Sequence, residues 1–190
     1  TDFVGYTETE CDAKVLALIE GEGFVDVVLD KTPFYAECGG QVGDSGYIFN
    51  DNLKVEVLTT FKVNHLFVHR CQVVNGEINV GDEVTAQIDA ARRAEIRVHH
   101  TSAHLLQAAL IKVVGDEVKQ AGSQVEENRM RFDFTFSRAM TPEEVQKTED
   151  VINEWIWEKL PVHTEIMDIE KAKLTGATAL FGEKYEDEVR

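Results

Sequence analysis

Two hydrophobic periodicities meet near residue 90, and together they leave few folds open to this chain. Before that point apolar residues come in short β-rich runs: Ala13 to Ile19, Phe24 to Leu29, Tyr47 to Phe49, Leu53 to Thr60, Leu66 to Val74 and Val84 to Ile88. Turn residues separate them, among them Gly21, Gly23, Asn75-Gly76 and Gly81-Asp82. Several short strands at such spacing predict a small β-barrel over residues 1–90. After residue 90 the pattern alternates helix and strand. His100 to Val114 places apolar side chains at 105, 106, 109, 110, 113 and 114, a helical period, with Gly115 where a C-terminal cap belongs. Val118 to Val125 and Arg129 to Phe134 read as a β-hairpin. Thr141-Pro142-Glu143-Glu144 supplies an N-cap, a first-turn proline and a capping-box glutamate.

The helix opened there is expected to turn Val145, Val151, Ile152, Trp155 and Ile156 inward and to stop before Pro161. Val162 to Met167 reads as a strand, and Asp168 as the cap of a short helix ending near Gly176. The fold class is therefore α+β. A small N-terminal barrel is followed, over residues 91–190, by a core with helices packed on an antiparallel sheet.

Hydrophobic residues make up 43% of the 190, enough to form a core. No apolar run is long enough to span a bilayer and no charged-then-apolar leader opens the chain, so a cytoplasmic protein without a membrane partner is expected. Cys11, Cys38 and Cys71 include no CxxC pair, which fits a reducing compartment better than a disulfide framework. Net charge is -16. Residues 92–131 reverse the local balance, with 7 basic against 5 acidic side chains. Arg92, Arg93, Arg97, Lys112, Lys119, Arg129 and Arg131 mark the stretch where a phosphate backbone would meet least repulsion.

The sharpest chemical feature is His100-Thr101-Ser102-Ala103-His104. Four residues apart on a helix, the two imidazoles share a face and can reach one metal ion. The same spacing suits two polar residues on a solvated face. A zincin protease needs a glutamate beside the first histidine, and that position is Thr101. His65 and His69 lie in a strand-like stretch, too far apart to ligate jointly, while His99 points about 100° away around the helix. His163 offers no spacing to the others. The glycine-rich run at 39–46 lacks the lysine and hydroxyl of a P-loop, so it reads as a tight turn or as a ligand contact. Gln120-Ala121-Gly122-Ser123 places an amide and a hydroxyl on a hairpin strand.

In order along the chain, Phe3-Val4-Gly5-Tyr6, TPFYAECGGQVGDSG at 32–46, HTSAHLL at 100–106, KQAGSQV at 119–125, RFDF at 131–134 and LFGEKY at 180–185 resemble the alanyl-tRNA synthetases. The ordered set covers nearly the whole chain. The opening Phe-Val-Gly-Tyr favours the editing region of a full synthetase over a free-standing relative that edits in trans. The resemblance implies a barrel followed by an editing core that hydrolyses mischarged Ser-tRNA(Ala) or Gly-tRNA(Ala), with the tRNA(Ala) acceptor end and the other domains of the parent as partners.

It also implies roles. His100 and His104 would be zinc ligands and Gln120 would position the aminoacyl ester. Thr101 would lie close by, and Gly39, Gly40, Gln41 and Ser123 would line the substrate. ATP and magnesium would belong to a separate catalytic domain of the parent. The family's remaining zinc ligands, a Cys-x-x-x-His element after FGEKY, would follow Arg190, so weak zinc binding and little deacylation are expected of these 190 residues alone. Two other readings stay open: a non-catalytic RNA-binding module of the same fold, and an unrelated metal hydrolase.

Overall fold

The structure of the chain, a computed structural model, describes residues 1–176 and 187–190. The LFGEKY motif at 180–185 lies outside the described residues. In chain order the elements are β1 (Asp2–Phe3), β2 (Glu10–Gly21), β3 (Phe24–Leu29), β4 (Lys31–Thr32), β5 (Gly46–Phe49), β6 (Lys54–Val63), β7 (Leu66–Asn75) and β8 (Glu83–Ile88), then α1 (Ala90–Val114), β9 (Lys119–Val125), β10 (Met130–Thr135), α2 (Pro142–Glu158), β11 (Met167–Asp168), α3 (Ile169–Leu174) and β12 (Glu188–Val189). Two compact units divide between Ile152 and Asn153. No helix among the described residues is long and apolar enough to cross a membrane.

In the first unit six strands close into an antiparallel barrel in the order β2-β3-β7-β6-β5-β8. Alternation decides which side chains enter it. Cys11, Ala13 and Val15 of β2, Val25, Val27 and Leu29 of β3, Val55 and Val57 of β6, and Val84, Ala86 and Ile88 of β8 form one buried cluster. Val27, Leu29, Val55 and Val57 have no exposed surface, and each such side chain stabilises the fold by about 1.5–3 kcal/mol. Closure also removes the unpaired strand edges that would otherwise recruit other chains. The amino-terminal motif is fastened outside this core. Strand β1 pairs in parallel with β4, and the Phe3 ring stacks on Phe67 with centroids 5.2 Å apart.

One histidine sits wholly inside. His69 of β7 is fully buried; its Nδ1–H donates to the Val27 carbonyl at 2.9 Å. That bond fixes the neutral tautomer, so Nε2 accepts from the Thr32 hydroxyl at 2.7 Å, and Thr32 Oγ1 in turn accepts from the Phe34 amide at 3.1 Å. Burial pushes the His69 pKa down to about 4, a shift that the Val27 bond opposes. The ring is therefore a structural polar group, buried and bonded at both nitrogens.

Helix α1 starts ten residues earlier than the apolar period suggests. Asp89 caps it by accepting from the Arg92 amide at 2.9 Å, and among its first ten residues only Ile96 is buried. The other inward-facing residues of those first turns are Arg92 and Arg93, whose charge disguises them as surface. Arg93 forms an ion pair with the buried Asp44 and donates to the carbonyls of Gly5 at 2.8 Å and Pro33 at 3.1 Å. Arg92 donates to the Gly43 carbonyl at 3.0 Å and pairs with Glu127 at 3.2 Å. These two cations clamp the helix to the barrel, so they are not a phosphate-facing patch. Arg129 and Arg131 are likewise paired, with Glu126 and Asp133.

Strands β9 and β10 form an antiparallel hairpin that α1 contacts, with a register shift between Asp133 and Phe134. The capping box of α2 forms as expected. The Glu144 amide donates to Thr141 Oγ1, and Glu144 Oε2 accepts from the Thr141 amide at 2.8 Å. The expected inward face of α2 is partly corrected: Val151, Ile152 and Trp155 are half-buried, but Val145 and Ile156 are exposed, and the one fully buried residue is Thr148. Thr148 satisfies its hydroxyl locally on the Glu144 carbonyl, so its methyl can be buried in place of a larger residue.

In the second unit the strand expected over Val162–Met167 is reduced to β11, Met167–Asp168, which pairs with β12. Alternation alone does not make a strand without a partner, and Val162 and Ile166 stay exposed. Asp168 caps α3 as expected, accepting from the Glu170 amide at 2.8 Å.

Candidate functional site

The site is assembled within the first unit from three pieces: the glycine-rich turn, the middle of α1 and strand β9. The turn is a two-residue hairpin. Cys38 and Gln41 exchange backbone hydrogen bonds at 3.2 and 3.0 Å, and Gly39 and Gly40 between them adopt φ of +59° and +84°. Positive φ at both central residues is the geometry of a type I′ turn, which Gly-Gly adopts without steric penalty. The turn's return leg lies alongside β9. The Val125 amide donates to the Gly40 carbonyl at 2.8 Å, and the Val42 amide donates to the Val125 carbonyl at 3.1 Å. Ser123 Oγ donates to the Gly39 carbonyl at 3.2 Å.

This placement makes the two glycines unequal. A Cβ on Gly39 would meet open space, whereas one on Gly40 would collide with the Ser123 carbonyl. Gly39→Ala is therefore expected to lower stability by about 1–2 kcal/mol, the left-handed backbone penalty alone. Gly40→Ala is expected to lose more, because the turn must also leave β9. Urea denaturation of the two variants side by side checks the order.

Gln41 is 5% exposed, and its side chain is aimed at α1. His100 Nδ1–H donates to Gln41 Oε1 at 2.6 Å. One helical turn on, the His104 ring stacks on His100 with centroids 5.1 Å apart and planes 16° from parallel. The i, i+4 spacing thus brings both imidazoles to one face. Burial and then the neighbouring His104 hold the His100 pKa below the ordinary histidine value, which keeps the ring neutral near pH 7. His99 turns away, its Nδ1–H donating to the Glu126 carbonyl at 2.8 Å.

Other residues singled out by sequence stand apart from this contact. Thr101 is exposed and donates its hydroxyl back to the Arg97 carbonyl at 3.0 Å. Gln120 is half-buried on β9 opposite Phe134, next to the register shift that leaves Ala121 unpaired. Among the described residues, the His100 side chain is hydrogen-bonded to Gln41 and to neither of these. Gly39, Gly40, Gln41 and Ser123 are brought together by bonds among their own turn and strand. The Gln41–His100 link was missed by sequence reasoning. Its one signal was a glutamine directly after a Gly-Gly turn, a polar residue where the chain has to turn back.

As a metal centre the pair supplies two imidazole nitrogen donors on one face, which fits part of a zinc set. No group of three or more His, Cys, Asp or Glu able to hold an ion occurs among the described residues.

Residues 1–92 match the family model described as tRNA synthetases class II (A). Over its whole length the chain is 47% identical to the alanine–tRNA ligase of Acaryochloris marina (strain MBIC 11017), covering 23% of that protein. It is 50% identical to the alanine–tRNA ligase of Synechococcus sp. (strain JA-3-3Ab), covering 22%, and 49% identical to that of Synechococcus elongatus (strain ATCC 33912 / PCC 7942 / FACHB-805), covering 23%. The chain thus spans less than a quarter of the length of the relatives it matches.

Proposed function

We propose that the chain, 47–50% identical over its whole length to a segment of alanine–tRNA ligases, is the editing segment of such a ligase, hydrolysing the ester of Ser-tRNA(Ala) or Gly-tRNA(Ala). The observation that carries the reading is the stacked pair His100 and His104, with His100 held by a buried amide beside a hairpin strand. A positioned neutral imidazole can take a proton from water as that water attacks an ester carbonyl, a contribution worth about 10²–10⁴-fold. Zinc, if held by these two rings and further ligands, would polarise the ester or lower the pKa of the water. His100 and His104 then serve as donors, and Gln41 keeps His100 aligned in either role.

Selectivity has a physical reason. A pocket for alanine cannot strongly reject an amino acid of similar size that adds a hydroxyl, so a second site that hydrogen-bonds the hydroxyl is needed to sort the products. Gln120 and Ser123 on β9 are the side chains we assign to that contact, and Thr101 stands next to His100 on the helix. Of the basic residues in the middle stretch, Arg97 and Lys119 are exposed and carry no ion pair among the described residues, so they are the ones left to meet the acceptor-end phosphates.

The test places this segment in an alanine–tRNA ligase in exchange for the aligned one. His100→Ala and His104→Ala are each expected to slow Ser-tRNA(Ala) deacylation at least about 100-fold while alanylation is unchanged. Unchanged deacylation in both variants would overturn the assignment. Tight tRNA binding with no ester loss in the unsubstituted protein would favour a binding module without chemistry.

A further inference from the structure

The glycine-rich turn admits two uses, a contact for ligand or a bracket for something inside the protein, and its hydrogen bonds show the second. The carbonyls of Gly39 and Gly40 and the amides of Cys38, Gln41 and Val42 are engaged within the hairpin and with Val125 and Ser123. What it delivers inward is one side chain, the nearly fully buried Gln41. An amide oxygen only accepts hydrogen bonds, so the imidazole nitrogen 2.6 Å from it has to carry the proton.

We propose that Gln41 is a positioning residue: it locks His100 into the tautomer protonated at Nδ1, leaving the Nε2 lone pair free to accept a proton or a metal ion. This rests on reading the histidine pair as the reactive centre and adds the device that keeps it competent. A hydrogen bond on one ring nitrogen sets both the tautomer and the orientation of the ring for whatever the other nitrogen does. Gln41 suits that task because it is held at both ends. The Gly39-Gly40 turn fixes the residues before it, and the Val42 bond to Val125 fixes the residue after. The barrel thereby reaches the chemistry through one amide, and the strand β9 that bears Gln120 and Ser123 is tied to the same turn. Ring tautomer and strand position are coupled through three or four bonds, all inside one unit.

The measurement is a two-bond ¹H–¹⁵N correlation spectrum of the imidazoles of the full 190-residue chain, recorded near pH 8 so that the rings are neutral. The wild-type His100 is expected to show a protonated Nδ1 and a bare Nε2. In Gln41→Leu, of similar size and without the acceptor, the Nδ1–H to Nε2–H ratio is expected to fall about ten-fold, the equilibrium weight of one hydrogen bond. Gln41→Glu keeps an acceptor oxygen and is expected to retain the wild-type tautomer. His69, bonded through Nδ1–H to Val27 inside the barrel, reports independently that each variant is folded.

A wild-type His100 protonated at Nε2 would overturn the proposal without any variant, because it means the amide presents its NH₂ to the ring. An unchanged ratio in folded Gln41→Leu would overturn it too. In the ligase carrying this segment, Gln41→Leu is expected to lower kcat for deacylation with little change in KM, and Gln41→Glu to recover part of it. If the tautomer behaves as stated and no deacylation is found, the hydrolytic reading fails and the positioning role stands.

Discussion

Replacing Arg93 by alanine is expected to destabilise the Thr1–Ile152 unit by about 3–5 kcal/mol, the range found when one partner of a buried ion pair is removed. Asp44 is 2% exposed and would keep only the Tyr35 amide, which donates to it at 2.8 Å, as a fixed partner. The carbonyls of Gly5 and Pro33 would lose their donor at the same time. Much of the cost therefore comes from what is left unpaired, not from the attraction that is lost. Arg93→Lys keeps the charge but not the fork that spans three acceptors, so it should fall between wild type and Arg93→Ala. Equilibrium urea denaturation reads the effect as a lower midpoint. A loss below about 1 kcal/mol would mean that helix α1 is held to the barrel by something other than this clamp.

Acidification is expected to remove about 3 kcal/mol of stability through His69 alone. In the folded barrel burial lowers its pKa to about 4, while an unfolded chain has histidine near its ordinary 6.5. The sign follows from which state binds the proton. Above pH 6.5 the ring is neutral in both states and its burial is fully compatible with folding. As pH falls from 6.5 towards 4 the unfolded chain takes up a proton that the folded barrel refuses, and stability drops by about 1.4 kcal/mol per unit. Net charge acts in the opposite direction, because protonating part of a -16 surface relieves self-repulsion. The clean readout is therefore a difference. The pH dependence of unfolding in wild type minus that in His69→Gln should show the stated slope between pH 6.5 and 4 and a flat line above. A flat difference throughout would show that water or local opening solvates the ring.

The barrel was legible in the sequence because β2, β5, β6 and β8 alternate. Lys54-Val55-Glu56-Val57 states which side is buried, and Asn-Gly and Gly-Asp mark the turn between β7 and β8. Helix α1 was legible only from His100, where Leu105, Leu106, Ala109 and Leu110 carry the period. Its first turns are docked by guanidinium groups, and a hydrophobicity pattern cannot register an arginine that faces inward. The run at Val162–Met167 shows the converse failure: apolar residues without a strand to pair with. At the site, the HxxxH spacing placed both rings on one face, and ring stacking agrees with it. The partner of His100 lies 59 residues earlier on another element, and no local pattern carries a contact of that separation.

The measurement that bears most directly on the hydrolytic reading is a comparison of two substrates. Ser-tRNA(Ala) and correctly charged Ala-tRNA(Ala) are given in turn to an alanine–tRNA ligase carrying this segment, and loss of the amino acid is followed with time. The seryl ester is expected to disappear at least about 100-fold faster than the alanyl ester, since a pocket that bonds the hydroxyl is left with unpaired groups by alanine. Equal, background rates for both, with the tRNA demonstrably bound, would contradict the account.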